Sequence, residues 1–406
     1  MPELNLLTYI GLFFLISQVF GKVAYRLKAP HLIGYLLAGI LFGPYMLQIF
    51  SSEMVEQMNL FTEMALAVIA FSIGTSLKLP RIKGLKRLII RISLLQAIAN
   101  IILVGGTLFA SLYYFYAFES IPQILGVSIL LGVISIATAP STIISLVHEY
   151  KAQGRFTNIL LGVTALSDVI TLFLYSFVLA ISMALVSDAD FNLTTGFINP
   201  LLDVIYAIAL GVFSGMIIKY LIRYFRDDEI LLGLLLGSLF TISGIAFAVG
   251  FSHLLPIMVF AFYVENFSGS SLPQRFHNSI SSIEKPILGV FFLLAGAHLD
   301  ISRAFSFGAL VAIVFFARLV GKLGGTMIAV RSNKEINSKT GLALLPSAGF
   351  AIGLILEAQN RLNEFISELA ALMLSVVLGK TLINELISPF MVKWVLKKSG
   401  ELSAQD

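Results

Sequence analysis

The stretch Leu160–Met183, LLGVTALSDVITLFLYSFVLAISM, is apolar along almost its whole length and carries one acid, Asp168, well inside it. As a helix, such a run is long enough to cross a hydrocarbon core of about 30 Å. A carboxylate at that depth costs roughly 3 kcal/mol even on the most lenient insertion scale. A sequence that keeps one there must supply a proton, a metal ion or a basic partner.

The rest of the chain repeats the apolar pattern. Of its 406 residues 58% are hydrophobic and only 12% charged, which sets it apart from soluble domains. Apolar runs fall at about 4–22, 31–50, 59–77, 88–117, 122–147, 156–186, 200–222, 229–248, 250–267, 284–299, 304–330, 339–357 and 365–395. The expected fold is therefore an all-α polytopic membrane protein of about thirteen transmembrane helices in the lipid bilayer. The first run begins after Met1-Pro2-Glu3, with no basic n-region or cleavage site, and reads as a span and not a removable signal. The chain has no cysteine, and its five histidines lack ligand spacing, so zinc chemistry is not expected and no cofactor is called for.

The charge follows topology. With these spans, 22 of the 27 basic residues fall in loops or at span ends on one side, against Arg303 and Arg361 on the other. The positive-inside rule then places the N-terminus outside, the C-terminus in the cytoplasm and the protein in the cell membrane. The net charge of +4 is an orientation signal and gives no reason to expect nucleic acid. Arg318, Lys322 and Lys380 remain, all within apolar spans.

A weak internal echo organises the spans. GGTLFA (105–110) in the fourth is matched by GGTMIA (324–329) in the eleventh, and the next span in each half is broken by proline, ATAPSTI (137–143) and LLPSAGF (344–350). Repeat one (4–186) and repeat two (229–395) then flank a linker helix (200–222), and the odd number of crossings inverts the second half against the first. Residues 399–406 read as a short cytoplasmic tail. Pro140 is flanked by Thr138, Ser141 and Thr142, and Pro346 by Ser347 and Gly349, so each break offers hydroxyls and freed carbonyls at mid-membrane. Such oxygens can replace the hydration of an alkali cation.

Within this frame the intramembrane charges can be given roles. Thr164 precedes Asp168 by one helical turn and shares its face, whereas Ser167 points about 100° away. Asp168 is expected to bind an alkali cation, Na+ or K+, when ionised and to release it when protonated. Arg318 and Lys322 form an i, i+4 stripe that either neutralises the half-helix ends or pairs with Asp168. Lys380 and Glu385 are expected to pair with each other. Glu63, Glu284 and Glu357 read as solvated interfacial acids, and His148 with Glu149 as a candidate pH sensor.

Six segments in register carry a resemblance: HLIGYLLAGILFGPYML (31–47), LFTEMALAVIAFSIGTSLKL (60–79), ATAPSTIISLVHEYKAQGRFTNILLGVTALSDVITLFLYS (137–176), FFLLAGAHLDI (291–301), GLALLPSAGFAIGLIL (341–356) and INELISPFMVKWVL (383–396). Together they resemble the monovalent cation:proton antiporter superfamily, the sodium/proton exchanger domain, over residues 1–398. The resemblance implies a dimerisation domain, a mobile core in which two discontinuous helices cross, alternating access and a homodimer. It also implies that Asp168 is the ion- and proton-carrying acid, Thr138 the hydroxyl at the first break and Lys322 the basic residue that pairs with or neutralises the core. Two positions depart from the pattern. Ser167 stands where electrogenic members carry a second aspartate and electroneutral ones commonly asparagine, and Ala139 is apolar where some relatives place an acid. With a single acid, exchange of one cation per proton is expected, without net charge movement. The alternatives are a sodium-coupled organic-solute symporter of related fold, the membrane subunit of a potassium-efflux channel or sensor, and a transport-dead scaffold. No catalytic set can be assembled from these residues, so an enzyme is not expected.

Overall fold

The computed structural model describes residues 5–27, 29–79, 84–116, 120–187, 194–224, 228–269, 272–300, 306–331, 338–347 and 349–401. Among them all regular structure is helical. In chain order the α-helices are α1 (Leu6–Arg26), α2 (His31–Phe42), α3 (Ser52–Gln57), α4 (Asn59–Ser76), α5 (Lys86–Asn100), α6 (Gly106–Tyr114), α7 (Ile121–Ile134) and α8 (Pro140–Glu149). They continue with α9 (Arg155–Val186), α10 (Asn199–Leu221), α11 (Asp228–Val249), α12 (Leu254–Phe267), α13 (Leu272–Ala297), α14 (Gly308–Val330) and α15 (Gly349–Ser399). Nine stretches among the described residues are long and apolar enough to cross a membrane, and α2, α7 and α12 are shorter apolar helices. The Leu160–Met183 run lies wholly within α9.

Most spans fall where the apolar runs place them, with three differences. α13 begins at Leu272 and runs unbroken through Pro286, about a dozen residues ahead of the expected start near 284. Its first half is polar on average, yet Leu272, Phe276 and Ile280 recur at helical spacing and are buried. Averaged hydropathy misses such an amphipathic segment. The fourth span is not one regular helix, because Ile101–Gly105 forms a π turn between α5 and α6. The last two spans are joined in α15, interrupted only at Ile366, whose φ of −144° and ψ of 58° are non-helical.

Contacts are densest within two sets of helices, one comprising α1, α2, α4 and α10–α13, the other α5–α9, α14 and α15. Glycines set the closest crossings in each. A Cβ on Gly39 of α2 would lie 1.8 Å from the Leu293 carbonyl oxygen of α13, and one on Gly296 of α13 would lie 2.2 Å from that of Leu36. In the second set a Cβ on Gly325 of α14 would lie 2.4 Å from Cα of Gln96 on α5. Without a hydrophobic drive between helices in lipid, this backbone approach supplies van der Waals packing. It also fixes Arg318 and Lys322, on the same helix as Gly325, against the broken spans.

Residues near the chain end also pack on α9. The Glu401 carboxylate accepts from the backbone N–H groups of Phe156 (2.7 Å) and Thr157 (2.8 Å) and from the Thr157 hydroxyl (2.7 Å). It thus caps the helix that carries Asp168, where free N–H groups and the positive dipole end favour an anion. Residues 402–406 lie outside the described residues.

Candidate ion site at the crossing helix breaks

Two interruptions meet inside the second helix set. α7 ends at Ile134 and α8 starts at Pro140, and a 3₁₀ turn over Ser338–Leu344 precedes the start of α15 at Gly349. The Ala139 N–H donates to the Pro346 carbonyl at 3.0 Å, so the broken segments bond directly to each other. Each break leaves carbonyls at the end of one half-helix and N–H groups ahead of the next, unpaired by the helix and shielded from water.

Buried side chains satisfy both kinds by sign. Arg318 donates through Nε to the Ser135 carbonyl (2.9 Å), through Nη2 to that of Ala137 (2.8 Å) and through Nη1 to that of Leu345 (2.7 Å) and to Asn384 Oδ1 (3.3 Å). One guanidinium therefore staples both breaks. Lys322 Nζ donates to the Ile136 carbonyl and to Thr138 Oγ1 at 3.2 Å, and Lys380 Nζ to Ser135 Oγ at 2.9 Å. The cations gather on the carbonyl ends, where the helix dipole is negative. Carboxylates take the N–H ends: Asp168 Oδ1 accepts from the Thr138 N–H at 2.9 Å, and Glu385 Oε1 from the Ser347 N–H at 3.2 Å.

Asp168 is fully buried, and its second oxygen, Oδ2, has no hydrogen-bond partner among the described residues. An anionic oxygen in that position asks for a proton or a cation. Thr138 lies between Asp168 and Lys322, its N–H on the acid and its hydroxyl oxygen on the amine, so the acid and the base meet through the break and not in a direct bond. Arg318 and Lys322 both donate to carbonyls of the broken spans, and neither makes a direct hydrogen bond to Asp168 among the described residues.

Thr164 and Ser167 direct their hydrogen bonds to groups other than the acid. Thr164 donates its hydroxyl to the Leu160 carbonyl of its own helix at 2.8 Å. Ser167 donates to the Val163 carbonyl at 2.7 Å and accepts from Gln96 Nε2 of α5 at 2.9 Å, so it turns to the neighbouring helix. Pro140 opens α8, and Pro346 contributes the carbonyl that joins the breaks. The backbone of Ser141 is in α8, but its side chain lies outside the described residues, as do those of His148 and Glu149. Ser347 is fully buried, and its hydroxyl has no partner among the described residues.

Two expectations require correction. Lys380 and Glu385 do not pair: they stand five residues apart, about 140° around the helix, and reach different breaks. Glu357 is not a solvated interfacial acid, since it is 2% exposed, accepts from the Ser252 hydroxyl at 3.2 Å and lies 3.6 Å from Arg361. Glu63 faces the buried His253 at 3.4 Å, and Glu284 accepts from Ser72 at 2.8 Å. Gln96 and Asn100, bonded to each other on α5, were not anticipated, although two amides one turn apart in an apolar span were a readable signal.

The sodium/hydrogen exchanger transmembrane family model matches residues 11–398. The chain belongs to this family. As a family member it is 25% identical over 347 residues to the Na(+)/H(+) antiporter 1 of Methanocaldococcus jannaschii, covering 80% of this chain and 77% of that protein. It is 21% identical over 339 residues to the probable Na(+)/H(+) antiporter GerT of Bacillus cereus, covering 81% and 84%. The exchanger fold is shared with the sodium proton antiporter MjNhaP1 of Methanocaldococcus jannaschii: its structure at pH 8 superposes with a TM-score of 0.77 at 17% identity, covering 96% of this chain and 98% of that one. Its electron-microscopy structure gives 0.80 at 16% identity over the full length of both.

Proposed function

We propose that this exchanger-family protein carries out antiport of a monovalent cation, Na+ or K+, against H+, with Asp168 as the group for which cation and proton compete. The observation that carries this reading is the unpartnered, fully buried Asp168 Oδ2 beside a break whose dipole ends are already compensated by Arg318 and Lys322. A neutralised frame leaves the acid free to take either ligand. Because one carboxylate holds one ligand at a time, one cation moves per proton and the cycle is electroneutral. Were Lys322 to release a proton in each cycle, transport would respond to voltage by about 2.3 kcal/mol per charge per 100 mV.

The set containing α5–α9, α14 and α15 acts as the mobile core and the set containing α1, α2, α4 and α10–α13 as the dimerisation frame of a homodimer, with the N-terminus outside and the C-terminus cytoplasmic. Movement of the core past the frame exposes Asp168 to each side in turn. The test is a proteoliposome assay with an internal pH dye and imposed Na+, K+ or Li+ gradients. Cation-driven proton movement that vanishes in Asp168→Asn supports the reading, and the absence of such movement in the wild type overturns it.

A further inference from the structure

The two carboxylates at the breaks share more than their N–H donors. Asp168 lies in TALSDVIT (164–171) and Glu385 in TLINELIS (381–388), so both sequences read Thr-x-x-Ser/Asn-acid-x-x-Thr/Ser. Positions i, i+4 and i+7 lie along one helical face, which puts Thr381, Glu385 and Ser388 on a single stripe of α15, as Thr164, Asp168 and Thr171 are on α9. Each acid accepts a backbone N–H from the broken span of its own half.

A dipole-compensating role explains Glu385 Oε1 on the Ser347 N–H. It leaves the hydroxyls around it unexplained. Ser347 Oγ, Thr381 Oγ1 and Ser388 Oγ are fully buried, and none has a partner among the described residues. Glu385 itself is 1% exposed. Burying a hydroxyl without a partner is costly, and these three sit on the residue whose N–H meets the carboxylate and one turn to either side of Glu385 on its own helix, a donor set lacking its ligand. Asn384 is turned away from this set, its carbonyl oxygen held by Arg318. Carboxylate and hydroxyl oxygens without thiol or imidazole suit a hard alkali cation.

We propose that Glu385, with Ser347, Thr381 and Ser388, forms a second alkali-cation site, the counterpart in the second half of the chain to the one at Asp168. The proposal rests on the reading of Asp168 as a cation site, because the likeness of the two stripes is part of its support.

Direct binding of Na+ to the purified full chain by isothermal titration calorimetry separates the two claims. The expected stoichiometry is two cations per chain for the wild type, one for Asp168→Asn, one for Glu385→Gln and none for the double variant. One cation in the wild type, lost in Asp168→Asn and kept in Glu385→Gln, overturns the second site and leaves the Asp168 reading standing. One cation kept in Asp168→Asn and lost in Glu385→Gln does the reverse, and no binding at all overturns both. Ser388→Ala guards against misfolding of the Glu385 variant, since it keeps the carboxylate. It should weaken the site that survives in Asp168→Asn by about tenfold. Unchanged affinity there, or proton release on titration without cation uptake, counts against the site.

Discussion

Removing the Arg318 guanidinium should be among the most destabilising single changes in the protein. Arg318→Ala deletes the donors to the Ser135, Ala137 and Leu345 carbonyls and to Asn384, all at a fully buried side chain. Each buried carbonyl left without a partner costs about 1–3 kcal/mol, and measured side-chain hydrogen bonds in membranes lie toward the lower end. Three carbonyls at about 1–2 kcal/mol each give a loss of about 3–6 kcal/mol, a large share of the stability of an ordinary domain. Arg318→Lys keeps the charge but offers one nitrogen where the fork reaches both breaks, so about half the loss should remain. Reversible unfolding in mixed detergent and dodecyl sulfate micelles reads these differences directly. A loss below 1 kcal/mol for Arg318→Ala would refute the reasoning, because the breaks would then be held by something other than this staple.

Four further outcomes follow from the same geometry. Glu401→Ala removes a carboxylate that accepts three hydrogen bonds at the start of α9, and should cost about 1–2 kcal/mol in the same unfolding assay. Gly325→Leu drives a side chain into the backbone at Gln96, where a Cβ alone would be 2.4 Å away, and should abolish recovery of monodisperse protein on size exclusion. Ser167→Ala should retain exchange in proteoliposomes and lose only about 1 kcal/mol, since the hydroxyl meets Gln96 and Val163 rather than the acid. Loss of exchange in a well-folded Ser167→Ala protein would place this serine among the ion's ligands. Sodium steps applied to protein on a solid-supported membrane should give no sustained current, and a steady current would exclude one-for-one exchange through a single acid.

Much of the fold was legible because a bilayer demands long apolar runs and satisfied backbones, and both leave a mark in one dimension. The acid in ALSDV and the prolines at 140 and 346 stood out as violations of that demand. What could not be read was partnership. Lys380 and Glu385 looked like neighbours in sequence, yet the helix turns them to opposite breaks, and their partners Ser135 and Ser347 are 245 and 38 residues away. Glu357 looked interfacial from its place near a span end, and only tertiary packing shows it covered. Ser167 looked decisive through its position beside Asp168, whereas the 100° step around α9 sends it to Gln96. The polar first half of α13 shows the same limit, since its buried face is three residues among many polar ones.

The central claim is that cation and proton exclude each other at one carboxylate, and the pH dependence of the apparent KM for Na+ tests it most directly. With exchange measured in proteoliposomes at a fixed pH gradient, each unit of acidification on the acid limb should raise the apparent KM about tenfold. The maximal rate should be restored in full at saturating Na+. An apparent KM that stays constant while the maximal rate falls with acidification would mean that the proton acts at a separate group, and would contradict the account.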